Sequence, residues 1–296
     1  MINRRKFIKS SAVLSGLSLV PFSATIARQF VSPMIEPMPR ILPKRLREGD
    51  LIGLVTPGGY INEEELQDAI KNLEAFGFRT YYQDSVLSTY GYFAGTDKER
   101  ADELMQMFTN PDVDAIHCVR GGYGAIRILD LLDFEQIGQN PKAIIGYSDI
   151  TALLTSIYER TGLVTFHGPV GVSTFNEFTS KSFEKVLINP RNKYKYPYER
   201  EAGTEENSEY DIYTITGGEA EGELIGGNLS VIDSMIGSAY EPDFENRIVY
   251  FEEIGEQVYR IDKMLFHLLY ATNLKKAAGI AMGIFSECGD NKKEPG

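Results

Sequence analysis

Two patterns of apolar and polar residues alternate along the chain from residue 51 onward. Short apolar runs predict β-strands, at residues 51–55, 80–83, 115–119 and 143–147. Stretches with apolar residues at helical spacing predict helices, at residues 66–76, 98–108, 125–132 and 150–158. Strands that alternate with helices indicate a mostly parallel sheet with helices on both faces. We therefore predict an N-terminal α/β domain over residues 46–188.

A change of composition separates a second, smaller unit. Residues 189–217 are polar and aromatic, then acidic, without a periodic pattern, and we interpret them as a linker. Residues 218–296 predict a C-terminal α/β domain. Its strands are expected at 223–225, 248–251 and 279–284, and its helices at 228–236 and 258–269. The sequence ends in a polar string one strand after the last helix, so we expect this domain to be incomplete.

The first 27 residues have the features of an export signal. Arg4 and Arg5 precede a mildly apolar stretch at 10–22, and small residues suited to cleavage follow at 24–27. The paired arginines indicate the twin-arginine type and predict a periplasmic protein. Stable membrane insertion after signal removal is not expected, because a bilayer span requires about 20 mostly apolar residues. An uncleaved N-terminal anchor is the alternative. Residues 28–45 contain four prolines and predict an extended leader against the domain.

The composition argues against several classes of protein. The formal net charge is −12, although the first 27 residues contain four basic residues and no acidic one. An acidic surface repels phosphate backbones, so we expect no nucleic-acid partner. Cys118 and Cys288 are too few for a disulfide scaffold and lack zinc-site spacing. They could pair after export, but Cys118 lies in an apolar strand and is interpreted as a buried thiol. No two histidines have metal-ligand spacing, and we predict neither a metal nor a cofactor.

Two strand-to-helix junctions contain the candidate chemistry, because ligands of open α/β sheets bind at the carboxyl ends of strands. Gly121, Gly122 and Gly124 follow the third predicted strand. Their backbone N–H groups suit an anion or oxyanion, and a tight turn with positive φ is the alternative. Ser148 stands at the corner between the next strand and its helix. It is either a nucleophile beside a helix N-terminus or simply the helix N-cap.

A serine nucleophile requires a base and an acid to orient it. His117 and His267 are predicted to be packed core residues, whereas His167 follows a strand and precedes a glycine, which makes it the candidate base. Glu252 and Glu253 end an apolar strand, where a carboxylate can orient a histidine. A solvated strand end is the alternative for this pair.

Together these segments resemble the LD-carboxypeptidase family of serine peptidases, which includes the enzymes of self-immunity to microcin C. The matching segments are Gly-Asp-Leu-Ile-Gly-Leu-Val-Thr-Pro at 49–57, Arg-Gly-Gly-Tyr-Gly at 120–124, Gly-Tyr-Ser-Asp-Ile-Thr at 146–151, His-Gly-Pro at 167–169, Gly-Gly-Asn-Leu-Ser at 226–230 and Tyr-Phe-Glu-Glu-Ile-Gly-Glu-Gln-Val-Tyr-Arg-Ile-Asp at 250–262.

The resemblance implies roles for individual residues. Ser148 is expected to be the nucleophile, and Glu252 to orient the catalytic histidine. The N–H groups of Asp149 and of the Gly121-Gly122 turn are expected to form the oxyanion hole, and Asn228 to lie with them in the substrate site. The family has its catalytic histidine in a glycine-flanked turn well beyond the glutamate, which these 296 residues do not reach. His167 falls in a scaffold segment of the family beside the site.

The activity implied by the resemblance is cleavage of the L,D-peptide bond before the terminal D-alanine of murein tetrapeptides, without a cofactor. The expected partner is a peptidoglycan-derived peptide, and a homodimer is a further hypothesis. Without the family's histidine we expect poor turnover. Two alternatives stay open: a peptidase of the same family that acts on another capped peptide, and an exported, non-catalytic protein that binds cell-wall peptides.

Overall fold

The computed structural model describes residues 39–194 and 212–289. The predicted export signal, most of the predicted leader and much of the predicted linker lie outside these ranges. No helix within them is long and apolar enough to cross a membrane.

The first sheet has five parallel strands in the order β2-β1-β3-β4-β5. The strands are β1 (Leu51–Val55), β2 (Arg79–Tyr81), β3 (Ala115–Cys118), β4 (Ala143–Gly146) and β5 (Phe166–His167). All residues of β3 and β4 are buried, as expected where helices cover both faces of a parallel sheet. Cys118 is one of these buried residues, and both cysteines are free thiols.

Helices pack on both faces of this sheet. They are α1 (Glu63–Glu74), α2 (Asp97–Thr109), α3 (Phe134–Gln139), α4 (Thr151–Thr161) and α5 (Glu177–Phe183). Asn62 and Thr96 begin α1 and α2 with capping boxes, which satisfy backbone N–H groups at the helix starts. The apolar residues of α1 pack in one core cluster, and those of α2 and α4 pack in another.

A second sheet of three parallel strands follows, in the order β6-β7-β8. Its elements are β6 (Leu224–Asn228), α6 (Leu229–Met235), β7 (Ile248–Ile254), α7 (Val258–Ala271) and β8 (Gly279–Ser286). Phe244, Phe251 and Leu268 are among the buried residues of its own core. The predicted α/β class is confirmed for both parts of the chain, whereas the incompleteness of the C-terminal domain stays a prediction.

Several elements differ from the sequence prediction, since the helices α3 and α5 have no predicted counterpart and three other elements have a different type or a different end. Residues Ala125–Leu131 form a 3₁₀ helix rather than an α-helix, directly after Gly124 with φ +120°. The strand β6 continues to Asn228, where a helix was predicted to begin. Its last residues include Gly226 and Gly227, which have low strand propensity but pair with β7. The strand β7 continues to Ile254, three residues beyond the prediction.

Polar contacts join the two sheets. The Asn228 N–H donates to Thr151 Oγ1 over 3.0 Å, so the end of β6 lies at the start of α4. Gly227 makes this approach feasible, since a Cβ atom there would lie 2.6 Å from Thr151 Oγ1. Farther along α4, Glu159 forms an ion pair with Arg247. The predicted leader contributes as well, because Arg40 binds Glu223 beside the second sheet.

Candidate active site

Ser148 occupies a strained corner directly after β4. It is the first residue of the 3₁₀ turn Ser148–Ile150, which leads into α4, and its φ is +60°. Left-handed backbone conformations cost energy in residues other than glycine and tend to occur at functional sites. Neither the turn nor α4 has a side-chain N-cap bond, so the alternative that Ser148 caps a helix finds no support. The hydroxyl is thus available for chemistry.

Gly121 and Gly122 lie against this corner. A Cβ atom at position 121 would be 3.2 Å from Ser148 Oγ, so only glycine leaves the serine its space. Gly122 has φ +97° and also closely approaches Gly59. The Gly59 N–H donates to the Gly121 carbonyl over 2.9 Å, which fixes one side of the glycine-rich loop. The interpretation as a tight turn with positive φ is confirmed for Gly122 and Gly124, and this turn lies next to the serine, whereas binding of an oxyanion stays a prediction.

The Asp149 side chain supports the same loop from inside. It is buried, and its Oδ2 accepts a hydrogen bond from the Ala125 N–H over 2.9 Å. Burial raises the pKa of Asp149, while hydrogen bonds from the Ala125 and Gly124 N–H groups act in the opposite direction. The sequence indicated a function only for the backbone N–H of Asp149, as a donor of the oxyanion hole. That role stays a prediction.

Arg100 binds the loops around the serine, and the sequence analysis did not identify it. Its side chain is fully buried, and its Nη1 donates to the carbonyls of Pro57 and of Gly124, the latter over 2.9 Å. Burial lowers the pKa of Arg100, and the nearby Asp97 and Asp149 raise it. In the sequence, Arg100 lies among the charged residues at the start of α2 and looks like any solvated helix position. The only local signal is the spacing to Asp97, three residues earlier, with which it forms an ion pair.

Glu252 and His167 face each other where the two sheets meet. The distance between Glu252 Oε1 and His167 Nε2 is 3.7 Å. Burial, and secondarily the charge of Glu253, raises the pKa of Glu252 to about 7. Burial lowers the pKa of His167 to about 4, so its imidazole is neutral at pH 7. The carboxylate is thus poised to change charge near neutral pH beside an uncharged ring.

Glu253 has a structural position, on the opposite face of β7. It is buried, and its carboxylate accepts hydrogen bonds from Asn228 Nδ2 over 2.9 Å and from the Ser230 N–H over 2.8 Å. The Asn228 side chain also caps α6 through the Val231 N–H. These contacts of Asn228 hold the end of β6 beside Glu252, because Asn228 and Glu252 are paired residues of β6 and β7. A role of Asn228 in substrate binding stays a prediction.

The other two histidines lie in different surroundings. His117 is buried in β3, as predicted. The prediction that His267 is a packed core residue is wrong, because its side chain is 48% exposed and its Nδ1 lies 2.7 Å from Asp233 Oδ1. The helix α7 turns this position outward, although its apolar neighbours suggested an inner face. Within the described ranges, no cluster of three or more His, Cys, Asp or Glu residues has the geometry of a metal site.

The structure thus brings Ser148, Asp149, Gly121 and Gly122 together at the carboxyl edge of the first sheet. Asn228 and Glu252 lie together at the end of the second sheet, which meets the first through Thr151 and His167. A hydroxyl on a strained strand-to-helix turn beside a glycine loop, together with a carboxylate that faces a histidine, is the arrangement of a serine hydrolase.

Comparisons with known proteins identify the kind of serine hydrolase. Models of the LD-carboxypeptidase N-terminal and C-terminal domains match residues 52–168 and 221–296. A probable murein peptide carboxypeptidase of Bacillus subtilis is 37% identical over 257 residues, which cover 85% of this chain and 77% of that protein. The chain belongs to the LD-carboxypeptidase family, as its motifs indicated.

Solved structures agree with this assignment. The muramoyltetrapeptide carboxypeptidase from Oxalobacter formigenes superimposes with a TM-score of 0.68 at 32% identity, over 80% of this chain and 77% of that one. The self-immunity protein MccF in complex with glutamyl sulfamoyl guanosine gives a TM-score of 0.74 at 27% identity, over 86% and 84% of the two chains. The fold is thus similar to that of a muramoyltetrapeptide carboxypeptidase and to that of MccF.

Proposed function

We propose that the protein is a serine carboxypeptidase that removes the terminal D-alanine from murein tetrapeptides. The observation that carries the proposal is the contact between Gly121 and Ser148, which joins a free hydroxyl to a loop of backbone donors. The choice of substrate is supported by the names of the Bacillus subtilis and Oxalobacter formigenes relatives. The described contacts of the site are compatible with acyl transfer and require no cofactor.

In the proposed reaction, Ser148 Oγ attacks the carbonyl carbon of the L-configured centre that precedes D-alanine. The N–H groups of Asp149 and of the Gly121-Gly122 turn stabilise the oxyanion. The C–N bond then breaks, D-alanine leaves with a proton on its amine, and water hydrolyses the acyl-enzyme to release the tripeptide. Glu252 orients the histidine that transfers these protons.

The identity of that histidine bears on the expected rate. The sequence has three histidines. His117 is sealed in β3 and His267 is paired with Asp233, whereas His167 lies beside Glu252. None of them occupies a glycine-flanked turn after Glu252, where the family has its base. We therefore expect these 296 residues to hydrolyse the tetrapeptide slowly, with oxyanion stabilisation preserved.

The place of action is part of the proposal. The predicted export signal, with its paired arginines Arg4 and Arg5, favours a periplasmic enzyme that trims the cell wall directly. A mature N-terminus near Arg28 in a periplasmic fraction would support this localisation. Met1 retained on cytosolic protein would overturn it.

Release of D-alanine tests the reaction and the substrate together. Purified protein is incubated with murein tetrapeptide and, separately, with a panel of C-terminally blocked peptides, and Ser148→Ala serves as the control. We expect D-alanine from the tetrapeptide with the unmodified protein only. Hydrolysis restricted to a blocked peptide would favour the alternative of a family peptidase that acts on another capped peptide. MccF, which was solved with glutamyl sulfamoyl guanosine, is a family member with such a ligand. Equal peptide affinity in both proteins without any hydrolysis would favour the non-catalytic alternative.

A further inference from the structure

One peptide group, between Gly124 and Ala125, is held at both ends by buried charged side chains. Its carbonyl accepts a hydrogen bond from Arg100 Nη1 over 2.9 Å, and its N–H donates to Asp149 Oδ2 over 2.9 Å. Arg100 is 1% exposed and Asp149 is 4% exposed. This peptide group ends the glycine-rich loop that contacts Ser148.

The same two side chains connect this loop to its neighbours. Arg100 also donates to the carbonyl of Pro57, in the loop that follows β1. Asp149 follows the nucleophile, and its Oδ2 packs so closely against Gly58 that a Cβ atom there would lie 2.5 Å away. The loops after β1, β3 and β4 therefore meet at one buried pair of opposite charges.

Burial of both charges is expensive unless their hydrogen bonds are satisfied, and hydrophobic packing often stabilises a fold equally well. The glycine-rich loop, however, requires side chains that hold its backbone in one conformation. Gly122 and Gly124 both have positive φ, a region in which glycine moves freely, so the loop does not fix itself. Stabilisation of an oxyanion requires N–H donors that are already in place before the reaction.

We propose that Arg100 and the Asp149 carboxylate are positioning residues, which fix the oxyanion loop by binding the two ends of the Gly124–Ala125 peptide group. The inference rests on the proposed function, since it assigns that loop to the oxyanion. Both side chains are buried, so each acts through the loop rather than directly on the substrate. Their loss should weaken binding of a tetrahedral, negatively charged species much more than binding of a ground-state ligand.

Arg127 offers a matched control. It also forms an ion pair with Asp97, and its guanidinium lies 5.2 Å from the centre of the Phe93 ring, compared with 4.9 Å for Arg100. Its side chain is 47% exposed, and its described side-chain contacts include neither loop carbonyl. Arg127→Met therefore removes the same charge from the same cluster without freeing the loop.

The experiment compares two ligands of the full chain. One is a boronic-acid analogue of the murein tripeptide, with boron in place of the scissile carbonyl carbon, and the other is the tripeptide itself. With the analogue, a bond forms between Ser148 Oγ and boron, the hydroxyl proton passes to solvent, and the boronate becomes tetrahedral and anionic. Dissociation constants are measured for the unmodified protein, Arg100→Met, Asp149→Ala and Arg127→Met. Hydrogen exchange at the Gly124 and Ala125 amides is followed in parallel.

We expect Arg100→Met and Asp149→Ala to bind the boronate about tenfold or more weakly, to bind the tripeptide within about twofold, and to exchange the loop amides faster. Arg127→Met should match the unmodified protein. Equal loss for both ligands, or no loss, would overturn the inference while the proposed function stands. If the unmodified protein binds the boronate no better than the tripeptide, both fail. Should Arg100→Met not fold, Asp149→Ala gives the same comparison.

Discussion

The hydroxyl oxygen of Thr151 accepts the backbone N–H of Asn228 over 3.0 Å, at a point where both residues are buried. Thr151 is the first residue of α4, three positions after Ser148, and Asn228 is the last residue of β6 beside Glu252. This hydrogen bond therefore links the parts of the chain that supply the proposed nucleophile and the proposed acid.

Thr151→Val should loosen this link. The substitution keeps the shape of the side chain but leaves the buried Asn228 N–H without its acceptor, which costs about 1–3 kcal/mol. We expect a lower free energy of unfolding, measured by denaturant titration, and lower turnover. Thr155→Val is the control, because the Thr155 hydroxyl donates within α4 to the Thr151 carbonyl. Equal effects of the two substitutions on turnover would show that the link to β6 is not specific.

Gly121→Ala should damage activity without damaging the fold. The new Cβ atom would lie 3.0 Å from Ser148 Cβ and 3.2 Å from Oγ, and the serine must shift to accommodate it. A displacement of this kind costs about tenfold to a hundredfold in kcat/KM. Gly218→Ala is a suitable control, since a Cβ atom there meets nothing within 4 Å. Full activity of Gly121→Ala would remove the glycine loop from the mechanism.

Glu252→Gln should stabilise the protein at alkaline pH while it lowers turnover. Because burial raises the pKa of Glu252 to about 7, the folded state binds a proton that the unfolded chain releases near pH 4.5. Stability from this group is therefore present at low pH and is lost as the pH rises toward 7. The glutamine variant does not ionise, so its advantage should be small at pH 5 and on the order of 1–3 kcal/mol at pH 8.

Thermal unfolding at these two pH values measures that advantage. Glu64→Gln, an exposed residue of α1, should show no such dependence on pH. A constant difference between Glu252→Gln and the unmodified protein from pH 5 to pH 8 would contradict an elevated pKa in the folded state.

His167→Asn distinguishes a neighbour of the acid from a general base. Since the neutral ring of His167 lies 3.7 Å from Glu252 Oε1, we expect a loss of about tenfold or less in kcat/KM, through movement of the carboxylate. Ser148→Ala provides the reference for loss of the nucleophile. His267→Asn, on the exposed side of α7, controls for the loss of an imidazole. A loss as large as that of Ser148→Ala would assign the base to His167.

Most of the fold could be predicted because the apolar residues that form the periodic pattern in the sequence are the residues that are buried in the structure. The strand Leu51–Val55 and the helices α2 and α7 lie within two residues of their predicted bounds. The end of β6 could not be predicted in this way. Gly226 and Gly227 have no side chains to show a pattern, and only pairing with Tyr250 and Phe251 makes them a strand.

The site was predictable where chemistry follows from local sequence and less so where it depends on tertiary contacts. Ser148 could be located at a strand end, but residue preferences alone favoured an N-cap over a nucleophile. Its positive φ is visible only in the structure. Two adjacent glutamates in a strand must face opposite sides, but which of them meets His167 depends on the approach of β6 to Thr151. Arg100 shows only its spacing to Asp97 in the sequence, since its other partners, the Pro57 and Gly124 carbonyls, lie in loops far along the chain.

Because the site is divided between two sheets, the reaction depends on how the sheets are placed relative to each other. The nucleophile and the glycine loop lie at the edge of the first sheet, where Arg100 and Asp149 hold the loop, whereas the acid is attached to the other sheet. A small hinge motion at Thr151 would alter the separation of Glu252 from the serine and leave the recognition of negative charge intact. In this architecture the catalytic rate can therefore change without a change in anion affinity.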